Sequence, residues 1–203
     1  MFSYSWAVFW LTYFIGGCLF YNDQSIVQQN YVVTVKQLLN SIGLNALLTF
    51  LCIPLANRVP TLIYVPDTLY GYVIRIICAI LIGDLCFYWT HRLLHTSYFY
   101  FLHKQHHLYI KPHAMAGVYA SPFEMLISNH LSMVLALKLV ECHSITMLCV
   151  ETAVVSANIL KSHSSNNNFW TGSPHHNLHH EKMNCNYGFS YITDIAFGTY
   201  QPS

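Results

Sequence analysis

Long apolar runs separated by short polar breaks dominate this chain, and they predict helices rather than strands. Residues 5–21 carry no charge and place Trp6, Trp10 and Tyr21 where aromatic rings suit a membrane interface. This run falls slightly short of the ~20 residues of a perpendicular crossing, and it predicts a first span. Residues 22–40 are polar with interspersed valines and predict a loop or an interfacial helix. A second apolar run, 42–56, ends at Asn57-Arg58-Val59-Pro60, and Pro54, Pro60 and Pro66 break the helix through the connection that follows. Residues 70–89 predict a third span, and the aromatic stretch 96–102 a segment at the membrane surface. Lys111-Pro112 stops any helix, and Ser121-Pro122-Phe123-Glu124 starts the next, with Pro122 in its first turn and Glu124 near the positive dipole end. Residues 126–140 and 144–160 predict an apolar hairpin around Glu141-Cys142-His143, and 183–200 a polar, aromatic tail. The fold class is therefore all-α, an integral membrane helical bundle.

Composition agrees with that pattern. The chain has 203 residues, 54% of them apolar and 8% charged, against roughly 25% charged in soluble domains. Its net charge of +1 and lack of a basic run exclude a nucleic-acid binder. The seven cysteines are scattered, without a CxxC motif, and read as reduced. The first residues lack a basic n-region and a small-residue cleavage site, so the first run is expected to be a retained span.

The chemistry lies in three histidine clusters: His91/His95, His103/His106/His107 and His175/His176/His179/His180. His91/His95 stand at i,i+4, and His103/His106/His107 and His176/His179/His180 at i,i+3,i+4. On a helix each set would project from one face. Imidazole is a preferred ligand of zinc, iron, copper and nickel. Eight ligand-spaced imidazoles exceed the four that a single structural zinc takes, so they suit two metals. A low-complexity histidine tract would lack fixed spacing and sit in polar sequence. His113 and His130 fall outside the spacing and read as non-ligating. Asp84 lies within some 40° of His91 and His95 around a helix, two turns below them. It is placed either to orient an imidazole or to pair with a neighbouring helix. Arg75 sits near the far end of the same span and can reach the interface. Glu124 is expected either to cap its helix or to support the site.

These motifs resemble the membrane fatty acid hydroxylase superfamily of sterol desaturases, sterol methyl oxidases and lipid hydroxylases. Its HxxxH, HxxHH and late HxxHH boxes match residues 91–95, 103–107 and 176–180. Within it the chain looks closest to cholesterol 25-hydroxylase-like proteins, through Glu141-Cys142-His143-Ser144-Ile145-Thr146, the third box, Asn184-Cys185-Asn186-Tyr187-Gly188 and Asp194. The resemblance implies metal ligands His91, His95, His103, His106, His107, His163, His176, His179 and His180. Several relatives carry a further ligand where this chain has Asn167, a poor iron ligand, so Asn167 or His175 is left to complete the set. The implied cofactor is two Fe ions. The implied partners are O2, a sterol or related lipid, and cytochrome b5 or an NAD(P)H-dependent reductase, because no GxGxxG fingerprint is present. The implied activity is lipid hydroxylation. Sterol C-4 methyl oxidation, C-5 desaturation and non-enzymatic metal binding are the alternatives.

Two regions follow: 1–69, N-terminal spans and connection, and 70–203, the catalytic domain. Arg92, Lys104, Lys111, Lys161 and Lys182 adjoin the boxes, so the positive-inside rule puts the boxes on the cytosolic side of the endoplasmic reticulum membrane.

Overall fold

The computed structural model describes residues 2–19, 26–27, 32–141, 150, 153–154 and 174–202. His163, Asn167, Glu151 and most of the second hairpin arm lie outside them. The described chain is mostly helical, with one short antiparallel pair in which Ile26 faces Lys111 and Val27 faces Tyr109.

Helix α1 (Phe2–Leu19) covers the predicted first span. Helix α2 (Val35–Leu51) starts well before residue 42. The cause is a capping box: Thr34 Oγ1 accepts from Gln37 N, and the Gln37 side chain returns to the Thr34 N–H. This local signal overrides the polar composition of residues 35–40. The two helices are joined by polar contacts, with Trp6 and Trp10 indoles both donating to Thr49 Oγ1 at 3.1 Å. Both helices also hold the loop after the second box. Tyr13 Oη donates to Ala114 O at 2.5 Å, and Asn45 Nδ2 donates to Val118 O and Ala120 O.

Helix α3 (Leu69–Leu94) runs through the third span into the first box. Among the described residues it is the one helix long and apolar enough to cross a membrane. Arg75 turns toward its start, where it pairs with exposed Asp67 at 2.7 Å and donates to Val65 O. Past the cap at Ser121, a π-helical stretch (Met125–Leu131) passes into α4 (Ser132–Leu139). Helix α4 packs antiparallel on α3. Thr90 Oγ1 lies 3.0 Å from Ser128 Oγ, and a Cβ on Gly83 would stand 3.4 Å from that of Ala136.

The third box sits on α5 (Pro174–Lys182), followed by α6 (Tyr191–Ala196). Asp194 folds the tail on itself, accepting from the Tyr187 and Gly188 N–H groups at 2.8 Å and from Thr199 Oγ1 at 2.7 Å. Gly188 is required here, because a Cβ would fall 2.4 Å from Thr193 Oγ1.

Candidate metal centre

The three boxes meet at the C-terminal end of α3. Their eight imidazoles divide into two groups: His91, His95, His103, His107 and His179 in one, and His106, His176 and His180 in the other. Within each group the available ligand atoms lie within 4.8 Å of one another.

The division has a local cause. On α5, His176 and His180 are one helical turn apart and share a face, while His179 is turned about 100° from His180 and points to the other group. The second box is not on an α-helix. His103 closes one 3₁₀ turn and His106 and His107 open the next. This tighter winding sends His103 and His107 to the first group and His106 to the second. The expectation that each box projects from one face is corrected: the second and third boxes each serve both groups.

Three outer ring nitrogens are held by backbone carbonyls. Tyr187 O accepts from His91 Nδ1 at 2.7 Å, Cys185 O from His179 Nδ1 at 2.7 Å, and Tyr109 O from His180 Nδ1 at 2.9 Å. A carbonyl can only accept, so each of these Nδ1 atoms carries the proton and each Nε2 presents a lone pair. His91 Nε2 faces His103 Nε2 at 3.1 Å, and His107 Nε2 lies 2.9 Å from His103 Nε2 and 3.1 Å from His95 Nε2. In the second group His176 and His180 meet Nε2 to Nε2 at 3.1 Å. Converging lone pairs repel unless a cation lies between them. A metal–nitrogen distance of about 2.1 Å separates ligands at right angles by about 3.0 Å. His179 Nε2 is buried with no hydrogen-bond partner among the described residues, as a nitrogen reserved for a metal would be. The donor set therefore fits bound metal ions.

Electrostatics keep the donors neutral. Burial first, then neighbouring imidazoles, push His95 down to about 2 and His103, His107 and His179 well below the ordinary histidine range. Burial likewise pushes the Glu124 carboxyl well above its usual range. One Glu124 oxygen lies 3.0 Å from His103 Nδ1, in contact but without hydrogen-bond geometry. The other Glu124 oxygen stands 3.9 Å from His106 Nδ1, so one carboxyl touches a ring of each group. The Glu124 N–H donates to Ser121 Oγ at 3.2 Å, so Ser121 is the cap of this turn, and the expectation that Glu124 caps it is corrected.

Asp84 departs from the expectation that it might orient an imidazole. It accepts from Ser190 N (2.8 Å), Ser190 Oγ (2.7 Å) and Thr193 Oγ1 (2.8 Å), and so ties α3 to the tail. A second acidic residue beside the boxes is Asp194, whose Oδ2 lies 3.2 Å from His175 Nε2. Burial opposes its ionisation, but hydrogen bonds from His175, Thr199, Gly188 and Tyr187 outweigh that and hold the carboxyl below its usual range. His175 therefore lies outside both groups, as do His113 and His130.

An apolar, mostly helical chain with two buried imidazole groups has the donor set of a histidine-ligated metal site. The family model for fatty acid hydroxylases matches residues 76–199, and the chain belongs to that family. It is 33% identical over 136 residues to fatty acid hydroxylase domain-containing protein 2 of Homo sapiens, covering 65% of this chain and 40% of that protein. A methylsterol monooxygenase of Aspergillus fumigatus is 34% identical over 122 residues, 53% of this chain and 41% of the relative. A C-4 methylsterol oxidase of Schizosaccharomyces pombe is 31% identical over 122 residues, 53% of this chain and 40% of the relative. The chain thus spans less than half the length of these relatives. No solved structure matches it.

Proposed function

We propose that the chain is a membrane-bound di-iron monooxygenase that hydroxylates a sterol or related lipid. The observation that carries this reading is the division of eight box imidazoles into groups of five and three, with Nε2 atoms converging at 2.9–3.1 Å. Five converging imidazoles exceed the four ligands of a tetrahedral zinc site, and His91, His95, His103, His107 and His179 would hold an iron ion of higher coordination number. His163, which lies outside the described residues, is proposed as a further ligand, and Asn167 as a supporting residue.

Two bound irons would supply the reductive chemistry of dioxygen. One oxygen atom enters a C–H bond and the other leaves as water, with two electrons and two protons taken from cytochrome b5 or an NAD(P)H-dependent reductase. The protein's own residues hold the rings neutral, fix their tautomers through Tyr109, Cys185 and Tyr187 carbonyls, and exclude water from the buried groups. The chain is assigned to the endoplasmic reticulum membrane as a multi-pass protein, with its boxes at the cytosolic face.

Oxidation of a methyl group on a sterol is favoured within this reading, because two matched relatives carry methylsterol oxidation in their names. The test supplies labelled dioxygen, a methylsterol and a reductase system to iron-loaded protein. One labelled oxygen in the lipid is expected. A new double bond without label would assign desaturation instead, and an unaltered lipid pool would leave metal binding alone.

A further inference from the structure

One cavity in the fold is not explained by metal binding. It lies between α1, α3 and the stretch from Met125 through α4, with about 1120 Å³ of atom-free space, part of it open to the outside. Its walls are mainly apolar and aromatic, including Trp10, Ile53, Ala79, Ile80 and Phe87. Three polar side chains line it close together in sequence, Asn129, His130 and Ser132. Ser132 is 4% exposed, and its Oγ has no hydrogen-bond partner among the described residues. Burying a hydroxyl without a partner is unfavourable, so it marks a place where a ligand can complete a bond. Asp84 also lines the cavity, but Ser190 and Thr193 already occupy its oxygens. Among the described residues that line it there is no lysine or arginine.

The packing of α3 on α4 locates this polar patch. Thr90 is level with Ser128 and Gly83 with Ala136, so Ser132 is level with Cys86 and Phe87. At 1.5 Å per residue this is roughly 6–8 Å below His91, whereas Ala79 is about 18 Å below it. The Phe87 ring, in the cavity wall, lies 5.1 Å from the His91 ring. The polar end of the cavity is therefore the metal end, and its apolar depth runs away along the span. The π-helical stretch supplies Asn129 and His130, and such widened turns recur at functional sites.

The geometry points to a lipid chamber that takes a neutral, hydroxyl-bearing lipid head-first, with Asn129, His130 and Ser132 holding the hydroxyl and the oxidised carbon lying near that polar end. This assignment rests on the oxygenase reading above. A neutral headgroup fits because the described lining residues offer no cation, which a carboxylate or phosphate headgroup would need once desolvated. The orientation also matches a lipid in the leaflet beside the boxes, with its hydroxyl at the interface and its tail toward the midplane. It enters laterally without inverting. A carbon at the far end of the tail would sit more than two helical turns from the metals.

The test uses the full chain, metal-loaded, in nanodiscs. Wild type should bind cholesterol about five- to tenfold more tightly than cholestene, which lacks the hydroxyl. S132A and N129L should each remove most of that difference and leave cholestene binding and metal content unchanged. A cholesterol photoprobe with its diazirine on the ring system should label peptides around Phe87 and Asn129. One with the diazirine in the side chain should label peptides around Ala79 and Ala136. Ceramide and cholesterol competing against each other decides which hydroxyl lipid is preferred, and palmitate should compete with neither. Equal binding of cholesterol and cholestene, reversed labelling, or effective competition by palmitate would each overturn the assignment. The comparison within wild type stands even if a variant misfolds. Hydroxyl-selective binding in protein that holds metal but oxidises nothing would support the chamber and count against the oxygenase reading, so the two can fail separately.

Discussion

His179 and His180 are neighbours in sequence, yet they serve different imidazole groups. Their separation around α5 makes each non-redundant. H179A should lower bound metal by about one ion per chain, abolish lipid oxidation and leave membrane insertion intact, checked by metal analysis beside fractionation. E124Q replaces a buried carboxyl that touches a ring of each group and should weaken metal binding about 10–100-fold, read by chelator competition. Acid should act through the same residues. The unfolded chain protonates its histidines near pH 6.5, whereas folded His95, His103, His107 and His179 resist protonation because they are buried. Below about pH 6.5 the unfolded state therefore binds more protons than the folded one, and stability falls as pH falls. The Tm of metal-free protein should drop steadily from pH 7 to pH 5, and a flat profile would contradict the burial argument. The ligand-spaced residues were legible in sequence because helical spacing is local. Their division between groups was not, since it depends on 3₁₀ winding after His103. His175 and Asp194 were visible as residues, but their bond spans the turn between α5 and α6.

At the scale of elements, Asp84 joins α3 to the tail across more than a hundred residues. Sequence placed it on the face of His91 and His95 but could not supply its partners, because Ser190 and Thr193 approach only once the tail folds. D84A leaves the Ser190 N–H and two hydroxyls without their acceptor and should destabilise the protein by about 1–3 kcal/mol. Metal binding should weaken secondarily, as the Tyr187 and Cys185 carbonyls lose their support. G188A should cost a similar amount, about 1–3 kcal/mol, through overpacking against Thr193; thermal denaturation checks both. The early start of α2 was available in sequence as Thr34-Val-Lys-Gln37, a capping signal masked by polar composition. Cys185 lies in the polar tail but is 1% exposed, so labelling from outside should use K182C instead. That thiol is expected to react with an impermeant reagent from the cytosolic side of sealed microsomes, and labelling only after permeabilisation would reverse the topology.

Across the whole molecule, α1 and α2 hold the loop after the second box, α3 carries the first box, and the tail holds the third. The eight imidazoles converge only when all of these parts are in place. The apolar runs predicted a helical membrane protein, and the described chain is mostly helical with α3 able to span. The central claim is that this convergence builds a two-metal centre. Metal analysis of full-length protein purified after iron loading tests it most directly, with iron and zinc quantified against protein by amino-acid analysis. The account predicts close to two irons per chain, falling to about one in H179A. A wild-type sample that reproducibly holds a single metal, or zinc in place of iron, would contradict it.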